Sequence, residues 1–497
     1  MRWMIQGATI MTQDDDDRWL ENGDIAVDGD RILAIGHNVP PESLGVEKVI
    51  DGRNKLVMPG LINAHHHSHD RFDKGRLDNL PLEVWQVIYN PPLGRRDWTP
   101  TECYLRTALN CMEMLKIGTT TVIDDVIHGV PPLKQNIDAV FQAYQDMGMR
   151  AFVSIYYSDR PFARTIPYLE DLLPERLKAD LAQMPTVAPD EMIEIWRRYG
   201  ENWRDRVRFI ISPSAPQRCT DEFLKKTWKL ANDLDVPVTV HVLETKSQVV
   251  TGRFFYGKSI VEHMDSLGIL TPKTTLAHMV WVTDHDLDLV ARAGASIAHN
   301  PMTNLKCGSG IAPVRKMLDA GINVGLGTDN NCANDTSNLL ETMRVAALLH
   351  KVTDFDYDRW IGSREVIKMA TRGGARCACL DGEIGTLSVG KKADLILLDL
   401  NRFPFFPRND LRHQLIFCEH GESVDAVVID GKFIVEGGKV KTVNEEKILS
   451  DVMERAKEIQ DKITRAAKRG GELAPYVREA YYKRVRQDVG FSAYSKS

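Results

Sequence analysis

The sequence predicts an α/β fold in which a (β/α)8, TIM-like barrel sits beside a small β-sandwich built by both ends of the chain. Three observations carry that expectation. Eight β-rich runs alternate with amphipathic helical stretches between residues 58 and 377. Residues 1–57 and 378–444 share a different, hairpin-like texture. The length of 497 residues exceeds what a single core of roughly 250–300 residues accommodates, so two folding units are expected.

Residues 1–57 contain short β-like runs, "RWMIQGATIMT", "GDIAVDGDRILAIG" and "KVIDGRNKLVMPG", with Gly and Asp at hairpin positions, as in an antiparallel sheet. The barrel segment follows with "LVMPGLINAHHH", "TTTVIDDV", "RAFVSIYY", "RVRFIISPSA", "VPVTVHVLE", "TTLAHMV", "GASIAHNP" and "INVGLGTDN". Helical stretches such as "DEFLKKTWKLANDLD" and "DHDLDLVARAG" join them, which makes repeated βα units and, with eight of them, a closed barrel the natural arrangement. "GEIGTLSVGKKADLILLDL" and "VDAVVIDGKFIVEGGKV" return to the hairpin texture and complete the sandwich. Residues 445–497 begin with a charged helical stretch, "EEKILSDVMERAKEIQDKITRAAKRGG", expected as a solvated helix or a subunit contact.

Composition narrows the function. Hydrophobic residues make up 43% and charged residues 27%, and the net charge of −6 shows no basic excess that would suit nucleic acid. A small-molecule substrate is the expected partner. The amino terminus lacks a leader-like apolar core, and no run of about 18 apolar residues appears, so a cytoplasmic chain without membrane contact is expected. Most of the eight scattered cysteines read as buried thiols in a reducing compartment, because Cys377 and Cys379 lack the spacer of a redox or zinc motif.

The chemistry concentrates in "PGLINAHHHSHD". Side chains alternate along a strand, so His65 and His67 share a face and can grip one metal, while His66 points away as a packing or supporting residue. His241 ends another β-branched run, with Glu244 three residues later, close enough to move protons. Asp329 ends the run "INVGLGTD". His65, His67, His241 and Asp329 offer three nitrogens and one oxygen, a set suited to one divalent ion, Zn²⁺ first and otherwise Fe²⁺, Mn²⁺ or Co²⁺. His278 and His299 end two further strands. Each histidine alone reads as structural, but the ionisable strand ends together fit the end of a barrel where active sites sit.

The order "PGLINAHHH", "VHVLE", "LAHMV", "AHNPMTNLKCGSGIAPV", "GLGTDN", "MATRGGAR" and "GTLSVGKKADLILLD" resembles the amidohydrolase superfamily, from residue 1 to about 440. Within it the chain looks most like the triazine chlorohydrolases and aminohydrolases and the deaminases of S-adenosylhomocysteine, methylthioadenosine and guanine. The resemblance implies that His65, His67, His241 and Asp329 hold the metal, with Asp329 also a base, Glu244 the proton carrier and His278 the group that polarises the substrate or orients the attacking hydroxide. A metal lowers the pKa of its water towards about 7, which supplies that hydroxide. The stretch "VRFIISPSAPQRC" has no lysine of the kind that binuclear members carboxylate, which favours a single metal. Homo-oligomers are a further implication.

The implied reaction releases an amino group from the carbon of a nitrogen heterocycle. Hydrolysis of an amide, urea or carbamate, or dechlorination of an aromatic ring, would use the same centre, and a non-catalytic scaffold is disfavoured because every ligand is present. Trp281, Asn330, Asn331 and the His69–Asp70–Arg71 stretch depart from the usual pattern and leave the substrate open. His69, Trp85, Trp281, His299 and Asn304 are the expected substrate contacts.

Overall fold

A computed structural model describes residues 2–94, 96–129 and 132–494. The first residue of the expected sandwich and the last three of the expected helical extension lie outside the described residues. The amino-terminal segment forms β1 (Arg2–Met11), β2 (Trp19–Asp28), β3 (Arg31–Gly36), β4 (Lys48–Asp51) and β5 (Lys55–Pro59). The middle of the chain supplies β6 (Leu61–His67), β7 (Thr119–Asp124), β8 (Arg150–Val153), β9 (Val207–Phe209), β10 (Val238–Val242), β11 (Thr274–His278), β12 (Ser296–His299), β13 (Asn323–Leu326) and the short β14 (Asp329–Asn330). The closing segment adds β15 (Leu395–Asp399), β16 (Val424–Ile429), β17 (Lys432–Glu436) and β18 (Lys439–Val440).

Both ends of the chain meet in one nine-stranded sheet, ordered β18-β17-β16-β15-β5-β1-β2-β3 with β4 beside β1. The seam is antiparallel, from Leu395 opposite Pro59 to Asp399 opposite Lys55. Period-two alternation divides its side chains between two cores. Ile5, Ile25, Val27, Leu395, Leu397 and Val428 enclose a core of their own. Their neighbours Leu56, Met58, Ile396, Leu398 and Val427 join the main core. At the edge, the Ile32 amide donates to the Lys391 carbonyl and the Ala393 amide to the Asp30 carbonyl, so β3 curls back towards the segment before β15.

The eight β-rich runs of the middle segment lie in two parallel sheets, β14-β6-β7-β8-β9 and β10-β11-β12-β13. Ile211, just after β9, forms a parallel bridge to Val238 at the start of β10. Asp329 pairs with His66, which brings the continuation of β13 beside β6. Helices separate successive strands. The helix Pro100–Lys116, for example, starts at a reciprocal Thr99–Glu102 cap and buries an apolar face.

The buried Arg150 guanidinium at the start of β8 donates to both Asp394 carboxylate oxygens at 2.7 and 3.1 Å, just before β15. This ties the rolled sheet to the amino-terminal ends of the parallel strands. The opposite ends carry the histidines.

The extension is more than a solvated helix. Its helices, Glu445–Gly471 and Ala474–Val485, fold back on their own chain. Ile459, Ile463, Ala466 and Gly470 form a narrow buried stripe at helical spacing in an otherwise charged segment. Leu473, Val477 and Ala480 pack with Val87, Leu93, Leu169 and Leu173. Lys462 reaches both oxygens of the buried Glu102 at 2.8 Å. Gly470 lies so close to the helix Leu82–Tyr89 that a Cβ would come 2.0 Å from the Val87 carbonyl oxygen. Among the described residues no helix is long and apolar enough to cross a membrane.

Candidate metal and catalytic centre

The strand ends bring the expected ligands together. The ligand atoms of His65, His67 and Asp329 lie within 4.8 Å of one another, and so do those of His65, His241 and His278. His67 Nε2 is 3.1 Å and His65 Nε2 3.4 Å from the same Asp329 oxygen. His66 points the other way, its Nδ1 3.1 Å from the Thr328 hydroxyl, as alternation requires.

Two tethers decide the tautomers. His67 Nδ1 donates to the Asp125 carbonyl at 2.5 Å and His241 Nδ1 to the Ser214 carbonyl at 2.8 Å, since a carbonyl can only accept. The two Nε2 atoms face each other at 3.4 Å. The buried His65 Nε2 has no hydrogen-bond partner. Imidazole nitrogens converging at the floor of a cavity call for a cation, and three imidazoles with one carboxylate fit a divalent one. Burial pushes His65 and His241 down, which keeps them unprotonated. Burial also opposes protonation of His67, but its hydrogen bond to Asp329 lifts the imidazole to about 10. Burial alone would raise Asp329, but the His65 and His67 imidazoles that face it hold it well below the usual range. A bound cation would replace the proton that His67 and Asp329 share.

Glu244 and His278 stand beside this set. His278 Nε2 is 3.6 Å from a Glu244 oxygen and 3.8 Å from the second Asp329 oxygen, while its Nδ1 meets the Asn304 side-chain oxygen at 3.0 Å. Burial lifts the Glu244 carboxyl to about 7, with His278 opposing and Asp329 adding to the rise. A carboxyl poised there can both give and take a proton near neutrality. The backbone is strained at the same strand ends, with positive φ at Ser214 (52°), Leu243 (49°), His278 (78°) and Asp329 (59°).

The cavity over these groups is also lined by His69, Trp85, Gln86, Tyr89, Tyr156 and Arg218. His69 and Trp85 thus stand where substrate contacts are expected. Asn304, Trp281 and His299 stand outside the lining. Asn304 orients His278 from behind. The Trp281 indole donates to the Ser309 carbonyl at 2.5 Å and packs on Phe491 and Tyr494 of the extension. His299 Nε2 meets His350 Nε2 at 3.2 Å. His299 ends β12, Trp281 follows β11 and Asn304 lies on the helix Pro301–Lys306, and all three are expected as substrate contacts, but each makes these other contacts instead. Sequence reasoning missed Asp125, Tyr156 and Arg218. The first two end the runs "TTTVIDD" and "RAFVSIY", and Arg218 lies in the stretch read for its missing lysine.

A model of the amidohydrolase family matches residues 56–434. The 5-methylthioadenosine/S-adenosylhomocysteine deaminase of Caldanaerobacter subterraneus subsp. tengcongensis is 34% identical over 459 residues, covering 92% of this chain and 99% of that protein. The 5'-deoxyadenosine deaminase of Methanosarcina barkeri is 31% identical over 460 residues, covering 93% and 99%. Among solved structures, the atrazine chlorohydrolase of Arthrobacter aurescens TC1 complexed with zinc superposes with a TM-score of 0.82 at 27% identity, over 91% of this chain and 100% of that one.

Proposed function

Because this chain belongs to the amidohydrolase family and is a hydrolase of non-peptide carbon–nitrogen bonds, we propose that it replaces the amino group of a 5'-modified adenosine or a related amino-heterocycle with oxygen, using one zinc ion. The observation that carries this reading is the meeting of Asp329, Glu244 and His278 beside the convergent imidazoles. The names of the curated relatives support the adenosine class, and the zinc complex of a structural relative supports the metal.

His65, His67, His241 and Asp329 would hold the ion, whose charge makes a water acidic enough to attack near neutral pH. Asp329 takes a proton from the attacking water. Glu244 gives a proton to the ring nitrogen and regains one from the added hydroxyl, while the proton taken by Asp329 passes to the departing amine, so that ammonia leaves rather than an amide anion. His278, oriented by Asn304, faces both carboxylates and steadies the incoming oxygen. Trp85 and Tyr89, stacked with centroids 4.4 Å apart, present aromatic surface to a planar ring.

The same reading treats residues 58–377 as a closed (β/α)8 barrel, 1–57 with 378–444 as a sandwich and 445–497 as a helical extension. The parallel bridge from Ile211 to Val238 and the pairing of Asp329 with His66 support closure. A cytoplasmic setting is supported by cysteines that are all free thiols. Self-association rests on the family resemblance alone.

Metal-loaded enzyme given 5'-modified adenosines, aminopurines and aminotriazines, beside a chlorotriazine and N-aryl amides and ureas, tests the reaction. Ammonium with an oxo product by mass spectrometry is expected. Release of chloride alone, as the structural relative's name would suggest, or cleavage confined to amides and ureas, would replace the deaminase reading.

A further inference from the structure

Arg218 is the one arginine or lysine lining the cavity, and among the described residues it forms no ion pair, although its charge reaches Glu244 across the cavity. Its Nη2 donates to the Gln86 side-chain oxygen at 2.7 Å, and its Nη1 donates to the Tyr156 hydroxyl at 2.6 Å and, at 3.4 Å, to the Ser214 hydroxyl. All three acceptors are neutral. Arg96 and Arg150, by contrast, close on Asp73 and Asp394, while the buried Arg106 and Arg484 donate only to backbone carbonyls among the described residues and lie outside the cavity lining. A half-buried guanidinium held by neutral acceptors keeps its charge available to a ligand.

The surroundings add donors. Tyr156 oxygen accepts from both Arg218 and the Ser214 hydroxyl, the latter at 2.5 Å, which leaves its own proton free to donate. Gln86 accepts through its oxygen and so retains its amide N–H groups. The cluster adjoins the metal end of the cavity, because the Ser214 carbonyl accepts from His241 and the Tyr156 ring meets His241 edge-on at 6.4 Å. Guanidinium, phenol and amide donors beside one another suit an anionic oxygen.

We propose that Arg218, with Tyr156 and Gln86, forms a subsite for an anionic oxygen on the substrate, so that the enzyme selects acidic amino-heterocycles over neutral ones. This rests on the deaminase reading. The oxygen can belong to an ionised ring oxo group or to a carboxylate on a substituent. Arg218 is a specificity residue here and takes no part in proton transfer.

Matched pairs test it: isoguanine with adenine, ammeline with melamine, and S-adenosylhomocysteine with methylthioadenosine, each given to wild type, Arg218→Gln and Arg218→Lys. Wild type should favour the acidic member of at least one pair by about 100-fold in kcat/KM, the size expected for truncating one side of a close charge pair. Arg218→Gln should abolish that preference, chiefly through KM, with the acidic members losing far more than the neutral ones, and Arg218→Lys should restore part of it. The first two pairs, assayed at alkaline pH where the ring oxo group ionises, report a ring oxyanion and the third a carboxylate. An equal loss on both members, no loss on either, or metal loss from Arg218→Gln would overturn the proposal. Calorimetric binding of the same compounds to metal-loaded protein separates its failure from that of the deaminase reading. If wild type releases no ammonium, tighter binding of acidic rings that disappears in Arg218→Gln still sustains the subsite, and equal binding refutes it.

Discussion

Imidazoles that share one cavity differ in role because their far nitrogens differ in partner. His67 and His241 are tethered through Nδ1 to backbone carbonyls, His278 to Asn304, and His65 to nothing among the described residues. The tethers point each Nε2 at a common centre, with Asp329 closing the set and Glu244 outside it. The two carboxylates should therefore fail differently when neutralised. Asp329→Asn should lose metal and lower turnover by roughly 10³-fold or more, whereas Glu244→Gln should keep its metal and lose about 10²–10⁴-fold in kcat. Elemental analysis beside ammonium release checks both, and full metal with undiminished turnover in either folded variant would contradict the assigned roles. The i, i+2 pair was legible in the sequence because alternation needs only a strand. The carbonyl tethers were not, because any residue type can supply them.

Loops following different strands hold one another in register. In the stretch Ser68–Asp73, Asp70 accepts the amides of Asn331 and Cys332, both at 3.0 Å, and His69 Nδ1 accepts that of Ile127 at 3.3 Å. Much of the unusual polarity after His67 thus ties loops together rather than forming pocket wall. Glu113, on the helix Pro100–Lys116, meets Arg71 and accepts from Lys74 at 3.3 Å and from the Ser337 amide at 3.1 Å. Burial alone would raise its carboxyl, but the Arg71 guanidinium pulls it from 4.5 to about 2. A carboxyl depressed in the folded state adds stability above its unfolded value, and this is lost as pH falls through the folded value. Glu113→Gln should therefore unfold several degrees below wild type at pH 7, by about 1–3 kcal/mol, with the gap closing between about pH 4.5 and 2. A gap independent of pH, by thermal melts in matched buffers, would show that packing and not charge is lost.

The whole molecule keeps stability and chemistry at opposite ends of its parallel strands. Arg150 joins the rolled sheet to the strand starts, and Asp394→Ala would leave its buried guanidinium with Asp430 alone. Loss of about 3–5 kcal/mol is expected, read as a lowered melting temperature, with metal content and kcat of the folded fraction unchanged. A variant with normal melting and impaired kcat would mean that the sheet acts on the site. The extension works at the other end. It presses on the pocket helix Leu82–Tyr89 through Gly470 and reaches the loop after β11 through Phe491 and Tyr494. Its apolar stripe was present in the sequence, but its neighbour was not, since a helix's own periodicity says which face is buried and never against what.

By itself the sequence determined the order and alternation of the strands, the strand ends that carry ionisable groups, and the ligand types, because these follow from local periodicity and from the chemistry of imidazole and carboxylate. Tertiary structure alone decided which strand ends line one cavity, which imidazole nitrogen faces it, that Trp281, His299 and Asn304 turn away, and that Arg218 enters it without an acid partner. Those outcomes depend on distances between residues far apart in the chain, and packing, not local pattern, sets such distances.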